Sequence, residues 1–138
     1  MNHPRFHHAF HVTNLDQARH FYGSILGCRE GRSTATWVDF DFWTHQLSLH
    51  LGTPTATTLT GMVDGTPVPM PHFGLCLPLA DWQALCARLV AHKVQCLLPP
   101  HTRYAGQAGE QGTVFFCDPF GNALEIKGFA DFAGVFAT

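Results

Sequence analysis

The stretch MPHFGLCLPLADWQALCARLV, Met70–Val90, changes period in its middle. Phe73, Leu75 and Leu77 alternate with His72, Gly74 and Cys76, which is the two-residue period of a strand. Further on, apolar residues fall at Trp82, Leu85, Cys86, Leu89 and Val90, the spacing of one helix face. A strand therefore runs directly into an amphipathic helix. The strand's apolar side can pack beneath that helix. His72 opens the opposite side, which is then either a solvated surface or the wall of a cavity with chemistry in it.

The same order occurs earlier in the chain. FHHAFHV reads as a strand, and TNLDQARHFYGSILGC follows as a helix that Thr13 or Asn14 can cap and Gly27 can end. Its apolar residues Ala18, Phe21, Tyr22, Ile25 and Leu26 repeat the spacing of the later helix, displaced by 64 positions. TWVDFDFW and HQLSLHLG alternate as strands in the first half. In the second, VQCLLPP is a short strand, HTRYAGQAGEQG a loop, and TVFFCD and NALEIKG strands joined by the turn signal DPFGN. Each half reads β-α-β-β-β, and such a repeat suggests duplication with two sheets side by side. The predicted class is α+β in a single domain, with module 1 over about 5–52 and module 2 over about 72–128. The Thr-, Pro- and Gly-rich residues 53–71 are expected to be a linker and 129–138 a C-terminal tail.

The 138 residues suffice for a real core, and 46% of them are apolar against 13% charged. A net charge of −2 without a basic block speaks against nucleic-acid binding. No apolar run is long enough to span a bilayer, and the N-terminus lacks a signal peptide's apolar stretch, so a cytoplasmic protein is expected. The five cysteines are odd in number and form no CxxC pair, which reads as small core residues. Ten histidines are many for this length, and histidine is the commonest metal ligand.

Strand parity sorts the polar residues. His7, Ala9 and His11 share one face, Gln46, Ser48 and His50 another, and Ala123, Glu125 and Lys127 a third, each opposite an apolar set. These polar faces turn away from the helices. Either they meet solvent, or curled sheets enclose them as a cup. In the second case His7, His50, His72 and Glu125 form a candidate ligand set for Fe(II), Mn(II), Ni(II) or Zn(II), and two histidines with one carboxylate suit oxygen-activating iron. His7 and His72 occupy matching places in the two halves, and so, roughly, do His50 and Glu125.

HVTNLDQARHFYGSILG, PHFGLCL and CDPFGNALEIKGF together resemble the vicinal oxygen chelate superfamily, the glyoxalase, bleomycin-resistance and extradiol-dioxygenase fold, over about residues 5–129. The resemblance implies paired βαβββ modules whose sheets form a U-shaped cup around a divalent metal. It implies His7, His72 and Glu125 as ligands, Fe(II) as the favoured ion, and a homodimer. His50 falls where glyoxalase I enzymes carry a glutamate that is both ligand and base. An imidazole does not replace a carboxylate that must take a carbon-bound proton, so a dioxygenase is placed ahead of a glyoxalase-like lyase or a fosfomycin-type thiol transferase. A third reading is a drug-sequestering binding protein. His50 or His11 is the expected acid or base. Arg103, Tyr104, Glu110 and Gln111 on the glycine-rich loop, with Lys127 at the rim and Trp37 as a wall, are the expected contacts to a small-molecule substrate.

Overall fold

The computed structural model describes residues 2–138. The chain is a mixed α+β protein whose contacts divide it into two compact units. One holds the chain through Ala56 together with Asp118–Gly121. The other holds Thr57–Cys117 and Asn122–Thr138.

In the first unit, β1 (His7–Val12), β2 (Arg29–Ser33), β3 (Trp37–Phe42) and β4 (His45–Leu51) form a sheet in the order β1-β4-β3-β2. β1 and β4 run parallel, as a crossover helix between β1 and the later strands allows. That helix begins as α1 (Leu15–Ala18) and continues as π-helical turns over Arg19–Ile25. Asn14 caps it, its side chain accepting the Gln17 amide at 2.9 Å. Wider turns make residues five apart neighbours, so Phe21 and Leu26 are both buried beside Tyr22, while Ile25 is only half-buried. Val12, Val38, Phe40, Phe42, Leu47 and Leu49 complete the core, as their parity requires. β2 carries no apolar alternation and is exposed throughout, which is why sequence pattern did not reveal it.

In the second unit, β7 (Phe73–Pro78), β8 (Cys96–Arg103), β9 (Gln111–Cys117) and β10 (Ala123–Phe129) form the order β7-β10-β9-β8, the same topology. α2 (Leu79–Ala91) buries Trp82, Leu85, Cys86 and Leu89, but Val90 is 72% exposed and lies off the face expected for it. Gly112 and Gly128 stand opposite each other on β9 and β10, and a Cβ at either would strike the Trp82 indole. The glycines therefore make a slot for the ring, whose Nε1–H donates to the Ile126 carbonyl at 2.9 Å.

Residues 53–71, expected as a linker, contain a hairpin of β5 (Thr58–Val63) and β6 (Thr66–Met70). The Asp64-Gly65 turn, both residues at positive φ, supplies the backbone such a hairpin needs. Val63 and Val68 cluster with Phe115 and Leu98, so the hairpin covers part of the polar-parity face of β8 and β9. Composition suggested flexibility, but two valines on one side of a short ribbon suffice to seat it. No helix among the described residues is long and apolar enough to cross a membrane.

Candidate functional site

Glu125 lies mid-strand on β10, opposite Gly74 on β7 and Phe115 on β9. A Cβ at position 74 would run into the Glu125 backbone carbonyl, so only glycine allows β7 to pass there. The carboxylate is 9% exposed. Its Oε2 accepts the Thr113 hydroxyl at 2.6 Å, and its Oε1 faces His72 Nε2 at 3.4 Å. His72 sits immediately before β7, against the Phe115 ring, with centroids 4.9 Å apart and edge-on. His72 Nδ1 is 2.7 Å from the Pro69 carbonyl oxygen, which can only accept, so this nitrogen carries a proton. The other ring nitrogen, Nε2, lies beside a carboxylate oxygen, with which it forms an ion pair when the ring is protonated. An oriented imidazole next to a carboxylate is also a donor pair that divalent metals take.

Its counterpart in the first unit is His7. On the β1–β4 pair His7 stands opposite Gln46, and Nδ1 is 2.8 Å from Gln46 Oε1. Gln46 Nε2 donates to Asp39 Oδ2 at 3.3 Å, which fixes the amide with its oxygen toward the imidazole. Nδ1 must then carry a proton, and Nε2 is the nitrogen that this hydrogen bond leaves free. Asp39 and Gln46 therefore orient His7 as Pro69 orients His72, and Thr113 holds Glu125. Of these four supporting groups only Gln46 was placed on a polar face from sequence, and only Gln46 is the register partner of a candidate ligand, His7.

The register also separates His50 from this set. Two residues after His7, Ala9 pairs with Ser48, and two after His72, Gly74 pairs with Glu125. Ser48 thus holds the place that corresponds to Glu125. His50 lies two residues beyond it, opposite His11 and Trp37, and roughly 13 Å along β4 from the row of His7. Ser48 Oγ and His50 Nε2 are 3.0 Å apart, and the Trp37 ring stacks on His50 with centroids 6.1 Å apart. Among the described residues, no three His, Cys, Asp or Glu side chains converge as a metal-binding group. The first unit presents an oriented histidine, His7, and the second a histidine beside a carboxylate, His72 and Glu125.

A family-wide profile, that of the Glyoxalase/Bleomycin resistance protein/Dioxygenase superfamily, matches residues 5–126. The chain belongs to this superfamily. Its paired βαβββ modules are the fold of solved members. One is a glyoxalase/bleomycin resistance protein/dioxygenase from Alicyclobacillus acidocaldarius, at 27% identity and a TM-score of 0.76, with 96% of both chains covered. Others are the fosfomycin resistance proteins FosX from Listeria monocytogenes, at 16% and 0.67 over 97% of this chain and 99% of that one, and from Mesorhizobium loti, at 16% and 0.63 over 94% of each. A search of curated protein sequences finds no match.

The remaining candidates fall in several places within this superfamily chain. Arg103 and Gln111, expected on a loop, are paired strand residues of β8 and β9. Arg103 Nε is 3.1 Å from Asp64 Oδ2 at the hairpin tip, so its charge is engaged there. His101 Nε2 reaches the same oxygen at 3.1 Å, and its Nδ1 meets the Pro99 carbonyl. The His101 hydrogen bond first, then Arg103, holds the Asp64 carboxyl below its usual pKa. Arg103 also donates to the Tyr104 hydroxyl at 2.9 Å. Glu110 accepts the Gly106 amide at 2.8 Å and so closes its own loop. Gln111 is buried and donates to the Gly109 carbonyl. Lys127 is on the Glu125 face, opposite Cys76 and Thr113. His11 Nδ1 is 3.1 Å from the Thr53 carbonyl.

Proposed function

We propose that the chain is a divalent-metal enzyme acting on a small chelating molecule, with His7, His72 and Glu125 as ligands and dioxygenase-type chemistry, working as a cytoplasmic homodimer. The observation that carries this reading is the His72–Glu125 pair. Its Nε2 and Oε1 lie 3.4 Å apart, the imidazole held by the Pro69 carbonyl and the carboxylate by the Thr113 hydroxyl. Two imidazoles and one carboxylate suit Fe(II), which when bound supplies open positions for a chelating substrate and O2. The chain's own residues do the rest. Pro69 and the Asp39–Gln46 pair keep each ligand histidine in the tautomer with a free Nε2. Thr113 prevents Glu125 from swinging away. His50, hydrogen-bonded to Ser48, is the group able to carry a proton on the first unit's polar face.

Ser48 supports placing dioxygenase chemistry ahead of glyoxalase chemistry. A serine in the place corresponding to Glu125 offers no carboxylate to remove a carbon-bound proton. The same three ligands would serve a fosfomycin-type transferase, for which the FosX neighbours provide a fold-level parallel only. All five cysteines are free, and burial raises the pKa of Cys76, Cys86 and Cys96, Cys86 to about 11, in keeping with a reducing compartment. Untagged protein purified anaerobically should contain close to one iron per chain and consume O2 with a catechol. Metal-free protein that turns over a substrate unimpaired would defeat the reading, and thiol addition without O2 uptake would move it to the transferase.

A further inference from the structure

The end of the first sheet, where β1 begins and β3 turns into β4, carries an open cavity of about 540 Å³. Its wall includes Arg5, Arg32, Thr44 and His45, together with Asp39 and Asp41. Both oxygens of Asp41 and one of Asp39 already have donors. Asp39 Oδ2 accepts Gln46, while Asp41 takes the Thr44 amide at 2.7 Å and Arg29 at 3.4 Å. The cations do not have matching acceptors. Arg19 and Arg29 of this unit are ion-paired, whereas Arg32 has no partner among the described residues and Arg5 only donates to the His3 carbonyl. His45 Nδ1 accepts the Phe6 amide at 2.9 Å, so the neutral ring presents its Nε2–H as a further donor. The turn that sets Thr44 and His45 at the lip is strained. Trp43 and Thr44 have φ of 48 and 74°, and the Asp41 side chain pins them.

Two guanidiniums and an imidazole N–H, none with a carboxylate partner among the described residues and all lining one cavity, are a donor surplus that one chemical group resolves. We infer that this cavity binds the oxyanion of a small molecule, a carboxylate or a phosphoryl or phosphonyl group, gripped by Arg5 and Arg32 with His45 beside them. Planar guanidinium forks match such oxygens two at a time. None of these three is a candidate metal ligand, so the site stands by itself. Where the metal reading also holds, the cavity names the substrate class. Gln46 and Asp39 line it and also orient His7, so a molecule anchored there by its anionic end lies alongside that histidine.

Calorimetric titration of the full chain with inorganic phosphate, methylphosphonate and malonate, with tetramethylammonium as the cation control, tests this. At least one oxyanion should bind one per chain, and the ammonium should not. Arg32→Ala and Arg5→Ala should each weaken that binding at least tenfold, and Arg32→Lys less. Both arginines are exposed, so the variants should keep the wild-type circular dichroism. Binding should persist after chelator treatment and in His7→Ala, which separates this site from the metal. Absence of oxyanion binding overturns the proposal. So does wild-type affinity in both arginine-to-alanine variants, or binding abolished by chelator or by His7→Ala.

Discussion

Glu125 reaches His72 with one carboxylate oxygen and Thr113 with the other, so a single buried side chain joins a strand edge to the sheet's interior. The first consequence concerns Thr113, which touches no proposed metal. Thr113→Val keeps the shape and removes the donor to Oε2. Metal affinity measured by chelator competition should fall about 10–100-fold, the usual effect of losing a group that orients a ligand. His7→Ala, His72→Ala and Glu125→Ala should each strip the metal more severely while the chain stays folded. Full occupancy in all three would remove the assignment.

His50 and Ser48 separate ligand from proton carrier. His50→Ala should leave metal content near wild type and reduce turnover by about 10²–10⁴-fold. Ser48→Glu, at the place matching Glu125, should instead add a fourth ligand and tighten metal binding. Loss of metal in His50→Ala equal to that in His72→Ala would return His50 to the ligand set.

The hairpin's hold on the second unit depends on pH in one direction. The native Asp64 carboxyl has a lowered pKa, so its contribution is fully present above the ordinary carboxylate value of about 4 and is lost as pH falls through the lowered native value. Limited proteolysis within residues 53–71 should therefore accelerate in acid. Asp64→Asn should show rapid cleavage already at pH 7 and little further change on acidification.

The split of the ligands between the two units predicts complementation. If the homodimer shares its sites across chains, a dimer of His7→Ala and Glu125→Ala chains carries both lesions in one site and leaves the other intact. An equal mixture should then regain roughly a quarter of wild-type metal binding, since half the dimers are mixed. No recovery after verified subunit exchange would show that each site is built within one chain.

Periodicity made most of the fold legible. Both helices, the helix-facing parity of β1, β4, β7 and β10, and the repeat itself follow from where apolar residues fall, because burial beneath a helix leaves a periodic trace. β2 and the β5–β6 hairpin were invisible for the converse reason, as exposed strands and two-valine ribbons leave none. Parity and resemblance led to His7, His72 and Glu125 as the proposed ligands, and the structure brings His72 and Glu125 within 3.4 Å of each other. Equating His50 with Glu125 could not survive the register, since parity alone does not distinguish a residue from the one two places on. Asp39, Gln46, Thr113 and Pro69 act through hydrogen bonds between strands, and those pairings are set by tertiary structure.

The glycine slot around Trp82 gives the chain an optical asymmetry. Trp82 is the second unit's only tryptophan, 8% exposed and hydrogen-bonded through its indole nitrogen. Trp37 and Trp43, the first unit's pair, are both half-buried. Emission from Trp82 belongs at shorter wavelengths than theirs, so one spectrum carries a separate signal from each unit. With Trp37 and Trp43 replaced by phenylalanine, the remaining fluorescence reports the second unit alone, and denaturation followed at that wavelength reveals whether the two halves of the duplication melt together or in succession.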